Sequence, residues 1–229
     1  MKRRGCQVSA FAGNWLSGAL GTGACWLNLE NSIMRVQASN PVLLIHGIDD
    51  TAVLFRRLRP FLTARGWPVH DLDLVPNNGA AGLEELAGQV DSYVNANIAA
   101  EQRFDLVGFS MGGMVARYYV QRVAPLDRVE RLVTVSSPHR GTWTGFLRNN
   151  KGARQMRPGS NFLKDLDEYR ERLKRVRFTS IWNPLDLMIV PATSSVIAEA
   201  RSVRVHVAAH PLMMRSRRVM RLVEEALLA

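Results

Sequence analysis

Cysteine is nearly absent from this 229-residue sequence, with Cys6 and Cys25 the only two. Two thiols cannot build a disulfide framework, and neither lies near a metal-ligating partner at a useful spacing. A disulfide-stapled scaffold and a structural zinc module are thereby excluded, and no metal or other cofactor is expected. The low count favours a reducing compartment. Lysine is scarce too, confined to Lys2, Lys151, Lys164 and Lys174. No apolar stretch reaches the length of about eighteen residues that marks a membrane-spanning helix. Internal repeats and low-complexity tracts are also missing, so one ordinary domain is expected.

Arginine is plentiful. Basic residues number 30 against 20 acidic ones, a net charge of +10. Such a balance attracts nucleic acid or an anionic membrane surface. The arginines are scattered, however, and no zinc finger or RNP-type aromatic motif accompanies them. Solvated arginine faces are the simpler reading, and no specific nucleic-acid partner is expected.

Residues 1–37 differ from the rest. "MKRRGCQVSAFAGNWLSGALGTGACWLNLENS" has a basic start and a loosely apolar middle, the outline of a signal peptide. Gly13, Asn14, Gly18, Gly21 and Gly23 break that middle, and no A-x-A cleavage site follows. Translation starting at Met34 is the other reading. The segment is expected to be an N-terminal extension, poorly ordered or non-native, with the folded domain at 38–229.

From Pro41 onward strands and helices alternate. Strands are predicted at 42–46, 68–74, 104–109, 129–136, 177–182 and 202–208. Helices are predicted at 51–65, 83–98, 112–124 and 216–228. Leu83, Leu86, Ala87, Val90, Tyr93 and Val94, with Ala96 and Asn97 near the end, make the 83–98 helix amphipathic. This rhythm predicts an α/β fold with a mostly parallel central sheet and helices on both faces. Residues 141–175 interrupt the rhythm with a polar, glycine-containing stretch and a charged helix, a short cap-like insertion.

Gly108-Phe109-Ser110-Met111-Gly112 sits between the apolar strand at 104–109 and the helix that follows. G-x-S-x-G in that setting places a serine on a sharp strand-to-helix turn, where close backbone neighbours require glycine. Ser110 is the candidate nucleophile. A serine needs a base, and the base needs an orienting acid. Five histidines compete: His46, His70, His139, His206 and His210. The chain order that accompanies such an elbow puts the base last, leaving His206 and His210. In "SVRVHVAAHPLMM" His206 belongs to the alternating strand, whereas His210 follows the strand's end and is the better candidate. Asp186, after the Asn183-Pro184 turn, is the candidate acid. Asp165 and Asp167 lie in a charged run with Glu168, Arg170, Glu171 and Arg172, a solvated helix face. "LLIHGIDD" provides a second turn at a strand end. The amides of Ile48 and Met111 are therefore the candidate oxyanion donors, with His46 a hydrogen-bonding residue that holds the loop.

Together "PVLLIHGI", "FDLVGFSMGGMVARYY", "VERLVTVSSPHRGT", "NPLDLMIVP" and "VHVAAHPLM" resemble the small bacterial lipases and esterases of the α/β-hydrolase superfamily, over roughly residues 40–228. The resemblance implies an α/β-hydrolase fold with a short or minimal cap and hydrolysis of carboxylic esters through an acyl-enzyme. Ser110 would attack, His210 would carry the proton and Asp186 would orient His210, with no cofactor. It also implies that His139 and Arg140, in "SSPHRGT", are structural or pocket-lining, and that "WTGFL" at 143–147 forms an apolar lip. The alternatives are a thioesterase or acyltransferase using the same three residues, or a binding protein that has lost catalysis. Expected partners are an ester or lipid substrate and an anionic membrane, met through Arg215, Arg217, Arg218 and Arg221. The expected location is cytoplasmic or peripheral to a membrane.

Overall fold

Side-chain alternation lets one strand serve two cores. In β1 (Val42–Ile45) all four residues are buried. Leu43 and Ile45 join one apolar cluster, and Val42 and Leu44 join the other, because successive strand side chains point to opposite faces. The computed structural model describes residues 39–229, so the expectations for 1–37 lie outside the described residues.

Five further strands complete the sheet: β2 (Val69–Leu72), β3 (Phe104–Phe109), β4 (Val129–Val135), β5 (Arg177–Trp182) and β6 (Arg201–Arg204). Their order is β2-β1-β3-β4-β5-β6, and each neighbouring pair is parallel. The sheet is thus wholly parallel among the described residues, a stricter form of the expected one. One face is covered by α2 (Leu83–Asn97) and α3 (Met111–Tyr118), the other by α1 (Leu58–Thr63) and α6 (Arg217–Leu228). On α2 the buried residues are Leu83, Leu86, Ala87, Val90 and Val94, the spacing that turns one apolar stripe toward a sheet. Strand order reverses between β1 and β3: the chain leaves β1 for β2 on one side and returns to β3 on the other. In parallel sheets the crevice at such a reversal, beyond the carboxyl ends, is where ligands bind.

Three predicted elements change. The helix expected at 51–65 is a 3₁₀ turn (Ala52–Phe55) followed by the short α1. Pro60 has no N–H to donate to the carbonyl four residues back, so it is tolerated only in a helix's first turn. The strand expected at 202–208 ends at Arg204, and His206 is exposed rather than embedded in the sheet. The Asn183 side chain accounts for the ending. Its amide donates to the Val207 carbonyl at 2.7 Å and its oxygen accepts the Val207 N–H at 3.4 Å, replacing the ladder. The helix expected at 112–124 is α only to Tyr118 and continues as a π turn (Tyr119–Val123).

Between β4 and β5 stand a 3₁₀ turn (Trp143–Phe146), α4 (Lys151–Gln155), α5 (Asn161–Glu168) and a second 3₁₀ turn (Arg170–Arg175). Asn150 and Ser160 start the two helices by accepting the N–H groups of Ala153 and Leu163. On α5 the charged Asp165 and Asp167 face outward as expected, while Phe162, Leu163 and Leu166 are buried on the other side. No described helix is long and apolar enough to cross a membrane.

Candidate active site

Ser110 occupies the turn between β3 and α3 with φ 53° and ψ −120°, a conformation costly for a side-chain-bearing residue. Neighbours fix it there. Its N–H donates to the Val135 carbonyl at 2.9 Å, and its own carbonyl accepts the Gly113 N–H at 3.1 Å. The glycines permit the crowding: a Cβ on Gly112 would stand 2.2 Å from the Ile45 carbonyl oxygen, and one on Gly108 2.5 Å from Gly113 Cα.

The loop after β1 approaches the same place. A Cβ on Gly47 would lie 3.1 Å from Ser110 Cβ, so the two turns touch across the strand-order reversal. His46 braces this loop as expected. Its Nε2 accepts the Leu74 N–H at 2.9 Å, which assigns the proton to Nδ1, donating to the Gly47 carbonyl at 2.8 Å. Among the described residues, neither the Ile48 nor the Met111 N–H donates to a protein acceptor. Met111 is the first residue of α3, where free amides and the positive end of the helix dipole favour negative charge.

Asp186 and His210 meet as well. His210 Nδ1 donates to Asp186 Oδ2 at 2.7 Å, and Asp186 Oδ1 accepts the N–H groups of Met188 and Ile189 at 2.9 and 3.1 Å. Burial alone would raise the Asp186 carboxyl, but the hydrogen bond and charge of His210 and the Ile189 N–H outweigh it and hold it below the usual range. Phe109 packs on the imidazole with ring centroids 4.7 Å apart. Ser110 and His210, 8% and 7% exposed, line one cavity of about 390 Å³ whose apolar wall includes Ile48, Leu54, Phe109, Leu147, Met156 and Met188.

Residues passed over in the sequence shape this cavity. Thr142 is its fastener: Oγ1 donates to the Met188 carbonyl at 3.0 Å and accepts the Val190 N–H at 2.8 Å, while Thr144 Oγ1 reaches the same carbonyl at 2.7 Å. The insertion is thereby tied to the loop carrying Asp186. Asp50 also lines the cavity, and burial raises its carboxyl against the pull of His46 and His210. Its place after His-Gly in "LLIHGIDD" was the available signal. His139 does not reach the cavity. It is fully buried, hydrogen-bonded through Nε2 to Thr134 Oγ1 at 2.9 Å, and burial holds it far below the usual histidine range. Its carbonyl accepts from the buried Arg117, which also bonds Gln121 and Asp167. Among the described residues no group of three His, Cys, Asp or Glu side chains could hold a metal ion.

A wholly parallel sheet with a strained serine elbow at its strand-order reversal defines an α/β-hydrolase. Two solved structures share the fold: the mature lipase BlEst2 of Bacillus licheniformis (TM-score 0.68, 15% identity, 83% of this chain and 93% of that one) and lipase B of Aspergillus fumigatus (TM-score 0.72, 16% identity, 83% and 53%). Residues 41–156, half of the chain, match the palmitoyl protein thioesterase family, and the chain belongs to it. Lysosomal thioesterase PPT2 of Homo sapiens is 31% identical over 116 residues, and that of Mus musculus 30%. The match to the human protein covers 47% of this chain and only 37% of the relative. The family match contains the turn from His46 to Ile48 and Ser110, and ends before Asp186 and His210.

Proposed function

We propose that the protein is a serine hydrolase that cleaves acyl thioesters and carboxylic esters through an acyl-enzyme. Ser110 Oγ attacks the acyl carbonyl while His210 Nε2 takes its proton, and Asp186 stabilises the resulting imidazolium. The Ile48 and Met111 N–H groups receive the oxyanion. His210 returns the proton to the leaving thiol or alcohol, and water repeats the cycle to release the acid. The observation that carries this reading is the shared cavity: the strained Ser110 and the Asp186-bonded His210 face one apolar chamber. That wall suits an aliphatic acyl group, each buried methylene contributing about 0.8 kcal/mol. Membership of the thioesterase family favours a thiol leaving group over an alcohol.

The test compares palmitoyl-thioester and p-nitrophenyl-ester turnover by the wild type and Ser110→Ala, with fluorophosphonate labelling read by intact mass. One covalent adduct on the wild type, none on the variant and parallel loss of turnover are expected. Turnover that survives in Ser110→Ala would overturn the reading. A ratio of thioester to ester kcat/KM below one would make carboxylic esters the natural class.

A further inference from the structure

Among the described residues twelve large apolar side chains are exposed, and their placement is one-sided. Nine belong to segments that follow the carboxyl ends of strands. Trp143, Phe146 and Leu147 follow β4, while Leu185, Leu187 and Met188 follow β5; Leu147 and Leu187 are each 83% exposed. Val53, Val75 and Leu212 stand after β1, β2 and β6. Of the remainder, Leu126 and Tyr169 precede β4 and β5, and Leu228 ends α6. Scattered single apolar residues need no explanation, but a collected set at one edge marks a contact surface.

The set adjoins the cavity. Leu147 and Met188 belong to both rim and wall. A shallow groove beside the mouth shares Asp49, Asp50, Leu54 and Pro211 with the cavity and adds Val53, Arg56 and Arg215.

We infer that this carboxyl-terminal edge docks on the surface of an anionic lipid bilayer, with the cavity mouth turned toward the membrane. The inference deepens the acyl-hydrolase reading, on which the purpose of the contact rests. Three observations select lipid over a second copy or a protein lid. Leu147 and Met188 join the apolar rim to the apolar wall beside the Arg148–Asp49 ion pair, which gives an acyl chain an apolar side along which to pass from bilayer to cavity. A protein covering this edge would close that path. The net charge of +10 makes two copies repel each other and draws the chain to anionic headgroups. Exposed Arg56 and Arg215 flank the mouth, and exposed Arg217 and Arg218 open α6 just beyond it. The arginines expected to contact a membrane thus act as the flank of an apolar contact, with Trp143 as an interfacial anchor.

The experiment uses the full chain carrying Ser110→Ala, so that binding is read without turnover. Sedimentation is measured with phosphatidylcholine vesicles, with and without phosphatidylglycerol. Binding to the anionic vesicles, weakened by salt, is expected. The added pair Trp143→Ser and Leu187→Ser should lower the partition coefficient at least about tenfold. Leu126→Asp, at the opposite edge, should leave it unchanged. Brominated lipid should quench the fluorescence of the Trp143-containing protein more than that of Trp143→Phe. Thermal melts, and short-ester turnover with Ser110 restored, report whether the rim variants are folded. Equal binding of the folded rim pair, equal loss in Leu126→Asp, or binding indifferent to anionic lipid would overturn the inference. So would a dimer that the rim pair dissociates. Vesicle binding without any ester or thioester turnover would leave the docking standing and sink the hydrolase reading instead.

Discussion

Replacing Asp186 with asparagine isolates what the carboxylate does for His210. Its two oxygens have separate tasks: Oδ1 accepts the Met188 and Ile189 N–H groups at 2.9 and 3.1 Å, and Oδ2 accepts from His210 Nδ1 at 2.7 Å. An asparagine can satisfy both backbone donors only by placing its single oxygen at the Oδ1 position. Its NH₂ then points at His210 Nδ1 and makes that nitrogen an acceptor. The imidazole proton moves to Nε2, where it blocks the lone pair that takes the serine proton in the proposed mechanism. Loss of the correct tautomer in such a triad lowers kcat about 10⁴-fold, a barrier increase of about 5.4 kcal/mol. The apolar wall is untouched, so KM should change little. The assay is kcat and KM for a p-nitrophenyl ester beside a thermal melt, since nearly isosteric Asp186→Asn keeps the loop's backbone bonds. A folded variant that loses less than tenfold in kcat, or loses mainly in KM, would refute the assignment of Asp186 as the orienting acid.

Three other outcomes test the structure around that chemistry. Gly112→Ala sets a methyl 2.2 Å from the Ile45 carbonyl and 2.3 Å from that of His46, so urea melts should show a loss of about 3 kcal/mol; a loss below 1 kcal/mol would mean that β1 and α3 are not held as described. Burial pushes the Asp105 carboxyl up to about 6 from 3.8, against the pull of Arg131 and Asn40. The native state therefore holds a proton on Asp105 that the unfolded chain releases, and the contribution of Asp105 to stability falls as pH rises from about 4 to about 6. That step is worth about 3 kcal/mol. It should disappear in Asp105→Asn, and urea melts at both ends of the window would show whether it does. Lengthening the acyl group of a soluble thioester should raise kcat/KM by up to roughly fourfold per methylene until the cavity is filled; a flat profile from acetyl to dodecanoyl would deny that the acyl chain uses the apolar wall.

What the sequence disclosed is what local backbone chemistry demands. Gly108 and Gly112 around Ser110 announce a place where backbones come too close for any Cβ, and the structure supplies the oxygens and the Cα that would collide. The Leu83–Val94 stripe and the continuous apolar run of β1 were equally plain, since each follows from one periodicity meeting one sheet. The misses share a different cause. The 51–65 helix was divided ahead of Pro60, which sits in the first turn of α1, and the last strand was ended by Asn183 acting on Val207 across the sheet's edge. Thr142 gives no local sign of its role, because its partners Met188 and Val190 lie more than forty residues away. Asp186 and His210 could be paired from their order, but the two N–H groups that fix the carboxylate's orientation belong to a fold of the loop that no pattern encodes. The groups proposed to react were therefore legible as types in order, whereas the cavity proposed to receive the acyl group is fastened by side-chain-to-backbone bonds between distant segments. On the proposed reading, substrate choice resides in that second set. Changing Thr142 should accordingly alter acyl selectivity through the wall it fastens, read as a shifted profile of kcat/KM against acyl chain length.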